Sequence, residues 1–152
     1  MLYRGVTFEE FAVAQAARLR AGLVAAYGPD VGADAAAEAM AYGFEHWDRL
    51  SGMANPVGYL YRVGQTEARR RRRPSGYLPA GPAAGLPEFE PALAPALEAL
   101  SEPQRVAVVL VHALGWSQID AAQLLEISVS TLRTHVARAL SVAMRKSSLV
   151  AS

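Results

Sequence analysis

Two short amphipathic segments joined by a tight turn, within residues 117–144, constrain the fold of this chain more than any other stretch. Ser117 and Ser128 each precede a run of apolar residues at helical spacing, which is the position of a helix N-cap. Ile127 falls where a helix-turn-helix buries its turn residue, and Ala122 is small enough for the two helices to cross closely. The spacing therefore predicts a helix-turn-helix motif.

The second helix of this motif has an apolar face and a polar, basic face. Apolar residues recur at intervals of three or four, at Val129, Leu132, Val136 and Leu140. The side chains that point elsewhere are Ser130, Thr131, Arg133, Thr134 and Arg138. No acidic residue follows Glu126, whereas four basic residues do, so a polyanion such as DNA is the expected partner. The alternative is an ordinary helical hairpin without a DNA-binding role.

A second basic segment begins at Asn55-Pro56, where Asn caps a helix and Pro occupies its first turn. The helix is predicted to run to about Arg73 and to be stopped by Pro74. Tyrosines are interleaved with arginines along it, which is typical of proteins that stack on exposed bases and neutralise phosphates. The alternatives are that the tyrosines are core-edge residues and that the arginine run 69–73 is a nonspecific polyanion patch.

Two helices are predicted upstream of the basic segment. Thr7 with Glu10 three residues later forms a capping box for the first, which ends near Gly28. The second begins around residues 31–33, and its core stripe is predicted to comprise Ala33, Ala37, Met40, Phe44 and Trp47. Asp34 and Glu38 lie off that stripe, which suits either a basic partner surface or a solvated face.

Residues 74–87 are rich in Pro and Gly and are predicted to form a flexible linker. Fourteen residues can span about 45 Å when extended, so the basic helix and the helix-turn-helix need not touch. After an acidic lead-in, Ser101 and Gln104 form a capping box for a supporting helix that Gly115 ends. The buried face of this helix is predicted to comprise Val106, Val109, Leu110 and Ala113.

The net charge of +1 hides a strong segregation of charge along the chain. Residues 51–79 carry one acid and six bases, and residues 127–152 carry four bases and no acid. Residues 1–50 carry seven acids and four bases, and residues 80–126 carry six acids and one base. Two basic blocks thus alternate with two acidic ones, which indicates separate contacts with nucleic acid and with a basic partner.

Composition also limits the kinds of site that the chain can hold. There is no cysteine, and the histidines His46, His112 and His135 are too scattered to suggest a zinc site, so we expect no metal or other cofactor. His135 is predicted to line the second helix of the motif instead. The sequence has no paired catalytic carboxylates, nucleophile motif or phosphate loop, so we expect no enzyme. With no signal core or membrane-length apolar run, the protein is expected to be cytoplasmic.

These patterns predict an all-α fold of two small helical domains. The expected boundaries are 1–73 for the N-terminal domain, 74–87 for the Pro/Gly-rich linker and 88–152 for the C-terminal helix-turn-helix domain.

The order and spacing of several motifs resemble one family, the bacterial RNA polymerase sigma factors of the minimal extracytoplasmic-function (ECF) group. In the N-terminal part the resemblance rests on FEEF at 8–11, Asp34 and Glu38 in a D-x-x-x-E pattern, WDRL at 47–50 and NPVGYLYRV at 55–63. In the C-terminal part it rests on ALSEPQRVAVVLVHALGWS at 99–117 and LLEISVSTLRTHVARAL at 124–140. The resemblance covers nearly the whole chain.

The resemblance implies a transcription initiation factor that binds RNA polymerase core and directs it to promoters. It implies that Asp34 and Glu38 contact the polymerase, and that the helix starting at Ser128 reads the minus-thirty-five element. It also implies that the basic helix reads and helps to open the minus-ten element through Tyr59, Arg62, Gln65, Thr66, Arg69 and Arg70. In this family an anti-sigma protein often holds the factor inactive, so one is an expected partner.

The chain departs from the family pattern at Glu67, at the alanines 35–37, and at Glu126, where the family usually has Gly. That last position commonly needs a left-handed backbone, which costs a residue other than Gly on the order of 1 kcal/mol. Two other functions stay open: a stand-alone helix-turn-helix regulator, and a degenerate sigma-like protein that binds partners without reading promoters.

Overall fold

The computed structural model describes residues 3–71 and 99–151, with side chains as far as Arg145. Within these ranges the chain forms helices and turns and no strand, which confirms the all-α prediction. The linker at 74–87 lies outside the described residues. We refer to residues 3–71 as the N-terminal unit and to residues 99–151 as the C-terminal unit.

The N-terminal unit contains four helices. The predicted caps at Thr7 and Asn55 are correct, whereas the second helix begins at Pro29, before the predicted 31–33, and Trp47 begins a separate short helix. The helices are α1 (Phe8–Tyr27), α2 (Pro29–Glu45), the short α3 (Trp47–Leu50) and α4 (Pro56–Arg71). Thr7 Oγ1 accepts a hydrogen bond from Glu10 N at 3.2 Å, and Asn55 Oδ1 accepts one from Gly58 N at 3.1 Å. Each cap satisfies a backbone N–H that has no partner within its own helix.

The predicted core stripe of α2 is partly wrong. Met40, and Trp47 at the start of α3, pack against the core as predicted. Ala37 is exposed and Phe44 is 63% exposed, whereas the buried side of the helix consists of Ala35, Ala36, Ala39 and Gly43. Small residues face inward because α2 packs closely on both α1 and α4: a Cβ atom at Gly43 would lie 2.9 Å from Leu60 Cδ1. Periodicity favoured the larger residues, but the space between the helices admits only the small ones.

The C-terminal unit contains α5 (Glu102–Val108), a π-helical turn (Val109–Ala113), α6 (Gln118–Leu125) and α7 (Val129–Ala151). The capping box at Ser101 and Gln104 is confirmed, with both reciprocal bonds at 3.3 Å. Ser117 and Ser128 also cap their helices as predicted, accepting from the backbone N–H three residues on at 3.0 and 3.1 Å. The predicted helix-turn-helix is therefore present as α6 and α7.

The buried face of α7 follows the predicted spacing as far as its third turn. Leu132 and Val136 are buried, but Ala139 takes the next core position and Leu140 is partly exposed. Because α7 packs on α5 at this point, the smaller alanine side chain faces the supporting helix. On the supporting side, Val106, Val109 and Leu110 are buried as predicted, and Ala113 is half-buried.

The two units pack against each other through a buried arginine. Arg105 of α5 is 3% exposed and lies across the end of α1. Its guanidinium donates to the carbonyl oxygens of Ala25 and Ala26 at 3.2 and 2.8 Å and to that of Leu100 at 3.2 Å. The carbonyls in the last turn of a helix lack intrahelical donors, and residue Pro29, four beyond Ala25, has no N–H. Arg105 thus supplies donors that the backbone cannot.

A second contact joins α4 to the helix-turn-helix. Asn55 Nδ2, at the cap of α4, donates to the Gln123 carbonyl oxygen at 2.7 Å. A third contact joins α1 to the helix-turn-helix, because Leu124 packs against Gly22. We call the set of contacts between the two units the interface. The sequence allowed the basic helix and the helix-turn-helix to lie apart, and the structure shows that they touch. Linker length sets only how far they can separate, whereas complementary surfaces bring them together.

We predict that Arg105→Met lowers the free energy of unfolding by about 2–4 kcal/mol, because buried carbonyls then lose their donors. Urea denaturation followed by circular dichroism measures this. Arg20→Met, on the exposed side of the same α1 helix, is the matched control and should change stability by less than about 0.5 kcal/mol. Equal effects of the two substitutions would contradict the anchoring role of Arg105.

Candidate nucleic-acid interfaces

The start of α7 presents a polar, exposed surface. Ser128, Ser130 and Thr131 are all exposed, and the Ser128 hydroxyl lies 3.2 Å from Ser130 Oγ and donates to Thr131 Oγ1 at 2.9 Å. This cluster lies at the N-terminus of a helix, where backbone N–H groups and the helix dipole favour an anion. The predicted minus-thirty-five residues at this end therefore lie together.

The remaining candidates on α7 are also exposed. Arg133 Nε donates to Gln118 Oε1 at 2.9 Å, which holds the guanidinium against the first turn of α6. Thr134 Oγ1 donates to the Ser130 carbonyl oxygen at 3.1 Å, and Arg138 lies one turn beyond. Sequence reasoning did not identify Gln118, because its contact with Arg133 depends on how α6 and α7 cross.

The turn between α6 and α7 has the left-handed backbone that the family pattern predicts. Glu126 has φ 55° and ψ 44°, and it is the only described residue other than Gly with positive φ. Its side chain crosses the interface: Oε2 lies 2.8 Å from Arg62 Nη2, and Cγ covers Gly58. The residue that departs from the family pattern therefore combines a strained backbone with a contact to α4.

The two tyrosines of α4 have different environments. Tyr61 is buried in the core, and burial raises the pKa of its hydroxyl well above the ordinary value. Tyr59 lies at the surface, where the Arg49 guanidinium sits 5.6 Å from its ring centroid. The Tyr59 hydroxyl lies 3.5 Å from that of Tyr42, whose ring stacks on His46 at 4.1 Å. Only Tyr59 is available for stacking on a base.

The hydrogen bond with Tyr42 and the nearby Arg49 guanidinium lower the pKa of Tyr59. The same hydrogen bond raises the pKa of Tyr42. The half-buried rings and the exposed Arg49 guanidinium form a surface cluster of aromatic and cationic groups. Stacking with charge neutralisation is the chemistry that single-stranded DNA requires.

Two polar candidates of α4 converge on one carboxylate of the C-terminal unit. Gln65 Nε2 donates to Glu102 Oε1 at 3.1 Å, and Arg69 Nη2 lies 3.5 Å from the same oxygen. The Tyr27 hydroxyl also donates to it, at 2.7 Å. Burial and this hydrogen bond raise the pKa of Tyr27. The sequence did not single out Glu102 or Tyr27, since their proximity arises only from the packing of the two units.

The last two candidates of α4 make contacts within the N-terminal unit. The Thr66 hydroxyl is exposed and donates to the Arg62 carbonyl oxygen at 3.2 Å. Arg70 Nη1 pairs with Glu67 Oε1 at 3.0 Å, so the acid that interrupts the basic helix neutralises one of its arginines. Of the arginine run 69–73, only the first three residues lie within the described part of the chain.

The acidic pair proposed for polymerase binding lies on α2, beside the side of α4 that faces away from the C-terminal unit. Asp34 and Glu38 are exposed and stand one turn apart on α2. Both carboxylates lie 3.5 Å from the Arg71 guanidinium. Exposed ion pairs of this kind contribute little to stability, so the two acids can exchange Arg71 for another cation.

His135 does not belong to the exposed surface of α7. It is half-buried and lines a cavity of about 270 Å³ at the interface, together with Tyr61, Gln65 and Arg69 of α4. Its Nδ1 atom and the Tyr61 hydroxyl are buried with no hydrogen-bond partner among the described residues. His135 is thus part of α7 as expected, but its side chain lies on the face of α7 that lines the cavity beside α4.

Across residues 3–71 and 99–151, no group of three or more His, Cys, Asp or Glu side chains is placed to hold a metal ion. None of the helices described is both long and apolar enough to cross a membrane.

We predict that Glu126→Gly is more stable than Glu126→Gln by about 1 kcal/mol, because both lose the ion pair with Arg62 but only Gln keeps a side chain in the left-handed region. Relative to the wild type, Glu126→Gln should lose about 0.2–1 kcal/mol. Chemical denaturation of the three proteins measures the difference. A Gln variant as stable as the Gly variant would show that the backbone at this turn is not strained.

Comparison with known proteins gives a family match and similar solved structures. Residues 92–141 match the family Sigma-70, region 4. The chain is also similar to the sigma factor RpoE of Bartonella quintana, solved in complex with the anti-sigma factor NepR, with 21% identity and a TM-score of 0.65. The similarity covers 91% of this chain and 95% of that one. Comparison with curated proteins gives no match.

The region 4 match spans α6 and extends into α7 as far as residue 141, and the structural similarity extends the shared fold to the N-terminal unit. Residues 92–141 are therefore similar to sigma-70 region 4, and the chain has a fold similar to that of a solved sigma factor, as the sequence motifs led us to expect.

Proposed function

We propose that this protein binds RNA polymerase core and directs it to promoters by reading two separate DNA elements. The observation that carries the proposal is the coincidence of the region 4 match with a helix-turn-helix whose exposed face is polar and basic. The protein would supply no catalysis of its own, since the polymerase performs the chemistry. It would act in the cytoplasm, where the polymerase is.

In this proposal α7 enters the major groove at the minus-thirty-five element. Its N-terminal cluster of Ser128, Ser130 and Thr131 faces the phosphates, where hydroxyls and backbone N–H groups are suitable donors. Arg133 is the candidate for a base contact, because a guanidinium pairs with a guanine edge in bidentate fashion. Gln118 fixes the direction of that guanidinium, and Arg138 adds a contact to the backbone.

The N-terminal unit reads the minus-ten element through α4. Tyr59, with the neighbouring Arg49 and Tyr42, would stack on bases of the opened strand, and Arg62, Arg69 and Arg70 would neutralise its phosphates. The Arg49 guanidinium over the Tyr59 ring supports this, because it joins a cation to a stacking surface. Gln65 and Thr66 offer hydrogen-bonding groups along the same helix.

The polymerase would contact Asp34 and Glu38. They form a compact acidic site on an exposed helix surface, and their present partner, Arg71, is one exposed side chain that a basic surface can replace. An anti-sigma protein is a further expected partner, because the similar sigma factor RpoE was solved with one.

Adding core polymerase tests this proposal. We expect the free chain to bind DNA weakly and with strong salt dependence, and core enzyme to convert this into promoter opening, detected as permanganate-reactive thymines. The charge reversals Asp34→Lys and Glu38→Lys should abolish opening but leave DNA binding by the free chain nearly unchanged. Asp30→Lys with Glu45→Lys, also exposed on α2, is the matched control and should retain opening.

Two results would contradict the proposal. Equal loss of opening in both double variants would remove the assigned role of Asp34 and Glu38. Tight, operator-specific binding by the chain alone, without any response to core polymerase, would indicate a stand-alone helix-turn-helix regulator.

We further predict that Arg133→Ala weakens binding to a minus-thirty-five duplex by about 1–3 kcal/mol and relaxes the base preference at one position. Titration of labelled duplexes that differ at single base pairs measures both effects. Arg145→Ala, an exposed arginine farther along α7, should weaken binding without altering the preference. An unchanged selectivity profile for Arg133→Ala would restrict that residue to phosphate contacts.

A further inference from the structure

One exposed arginine of α7 has a partner on the other helix of the helix-turn-helix. Arg133 Nε donates to Gln118 Oε1 at 2.9 Å, and Gln118 is the first residue of α6. An exposed arginine side chain samples many rotamers, and it loses that freedom when it binds a ligand. The Gln118 oxygen therefore restricts the directions of the Arg133 guanidinium before any DNA is bound.

Arg133 lies on the face of α7 that the proposed function directs into the major groove. Ser130, Arg133, Thr134 and Ala137 are all exposed and recur at the spacing of one helix face. The other three side chains are short, and the Thr134 hydroxyl donates to the Ser130 carbonyl oxygen of its own helix. Arg133 has the longest reach of the four, so base reading on this face depends on the direction of its guanidinium.

The hydrogen bond with Gln118 decides which edge of that guanidinium remains for a base. A guanidinium forms paired hydrogen bonds along the edge that includes Nε or along the edge formed by its two Nη atoms. Gln118 uses the Nε–H group, so the edge formed by Nη1 and Nη2 remains. In the major groove guanine presents two neighbouring acceptors, N7 and O6, whereas each other base presents a donor or a single acceptor. Two parallel donors therefore match guanine.

Gln118 sets this direction without removing the charge of the guanidinium. Two other arginines pair with carboxylates of the C-terminal unit: Arg18 with Asp120, the acid of α6, and Arg62 with Glu126. Arg133 instead has a neutral amide as its hydrogen-bond partner. A carboxylate at position 118 would neutralise the guanidinium and repel phosphates, whereas an amide does neither.

We propose that Gln118 is a positioning residue that makes α7 specific for guanine. By holding Nε, it presents the Nη1 and Nη2 atoms of Arg133 to O6 and N7 of one guanine in the major groove. The inference rests on the proposed function, because it assumes that α7 reads duplex DNA. It divides the reading of one base between the two helices of the motif: α7 contacts the base, and α6 selects it through Arg133.

Three variants test this role. Gln118→Met removes the acceptor and keeps the length of the side chain, and Gln118→Glu keeps an acceptor oxygen but adds a negative charge. Gln123→Met, at another half-buried glutamine farther along α6, is the matched control. Gln, Met and Glu have similar helix propensities, so urea denaturation should give near-wild-type midpoints for all three variants.

The readout is the base preference of the full chain bound to core polymerase, selected from DNA duplexes of random sequence and read by sequencing. Arg133→Ala identifies the base pair that Arg133 reads, as the position where the preference is lost. At that position we expect wild type and Gln123→Met to prefer guanine, and Gln118→Met to lose about ten-fold of that preference. Gln118→Glu should keep the preference but bind all duplexes more weakly.

Several results would overturn the role of Gln118 alone. They are an unchanged guanine preference in Gln118→Met, an equal loss of preference in Gln118→Glu, a base other than guanine at the position that Arg133 reads, and an Arg133→Ala profile identical to wild type. A wild-type selection without any enriched sequence would instead overturn the proposed function, and this inference with it.

Discussion

The structure depends most on the placement of one buried guanidinium, that of Arg105, at the C-terminal end of α1. The last turn of a helix exposes carbonyl oxygens and a partial negative charge, and both favour a cation that can donate several hydrogen bonds. Because Arg105 comes from α5, satisfying the end of α1 fixes the C-terminal unit against the N-terminal unit. The cavity, the carboxylate contacts and the covered side of α4 all follow from that placement.

Charge along the chain has two uses in this arrangement. Within the interface, Glu102, Asp120 and Glu126 neutralise arginines of α1 and α4, and Arg18 also lies 5.4 Å from the Trp116 ring. Outside it, the N-terminal end of α7 and the pair Asp34 and Glu38 remain exposed. The surfaces proposed for minus-thirty-five DNA and polymerase are therefore accessible, whereas Arg62, Gln65 and Arg69 of the surface proposed for minus-ten DNA contact carboxylates of the C-terminal unit.

The features that the sequence predicted correctly depend on a few neighbouring residues. Helix caps at Thr7, Ser101 and Ser117 require only a side-chain acceptor and a backbone N–H three residues away, and the left-handed turn at Glu126 is a local backbone property. The order of such signals along the chain also carried the resemblance to sigma factors, since their spacing carries more information than any one of them.

The features that the sequence missed depend on contacts between distant residues. The small side chains of α2 are buried because two other helices approach it closely, and no property of residues 29–45 alone reports that distance. The joint contact of Tyr27, Gln65 and Arg69 with Glu102 involves residues separated by up to 75 positions. A flexible linker is compatible with either separated or packed units, so the interface could not be predicted from composition.

The central claim, that Arg105 fixes the two units against each other, is tested most directly by a distance between the two units. Spin labels on Ala41→Cys and Ala137→Cys, both at exposed positions, report that distance in a chain with no other cysteine. We expect one narrow distance distribution for the free protein and a broader one when Arg105→Met is added, because the hydrogen bonds to the end of α1 are then lost. A broad distribution in the free protein, or the same narrow one with Arg105→Met, would contradict the claim.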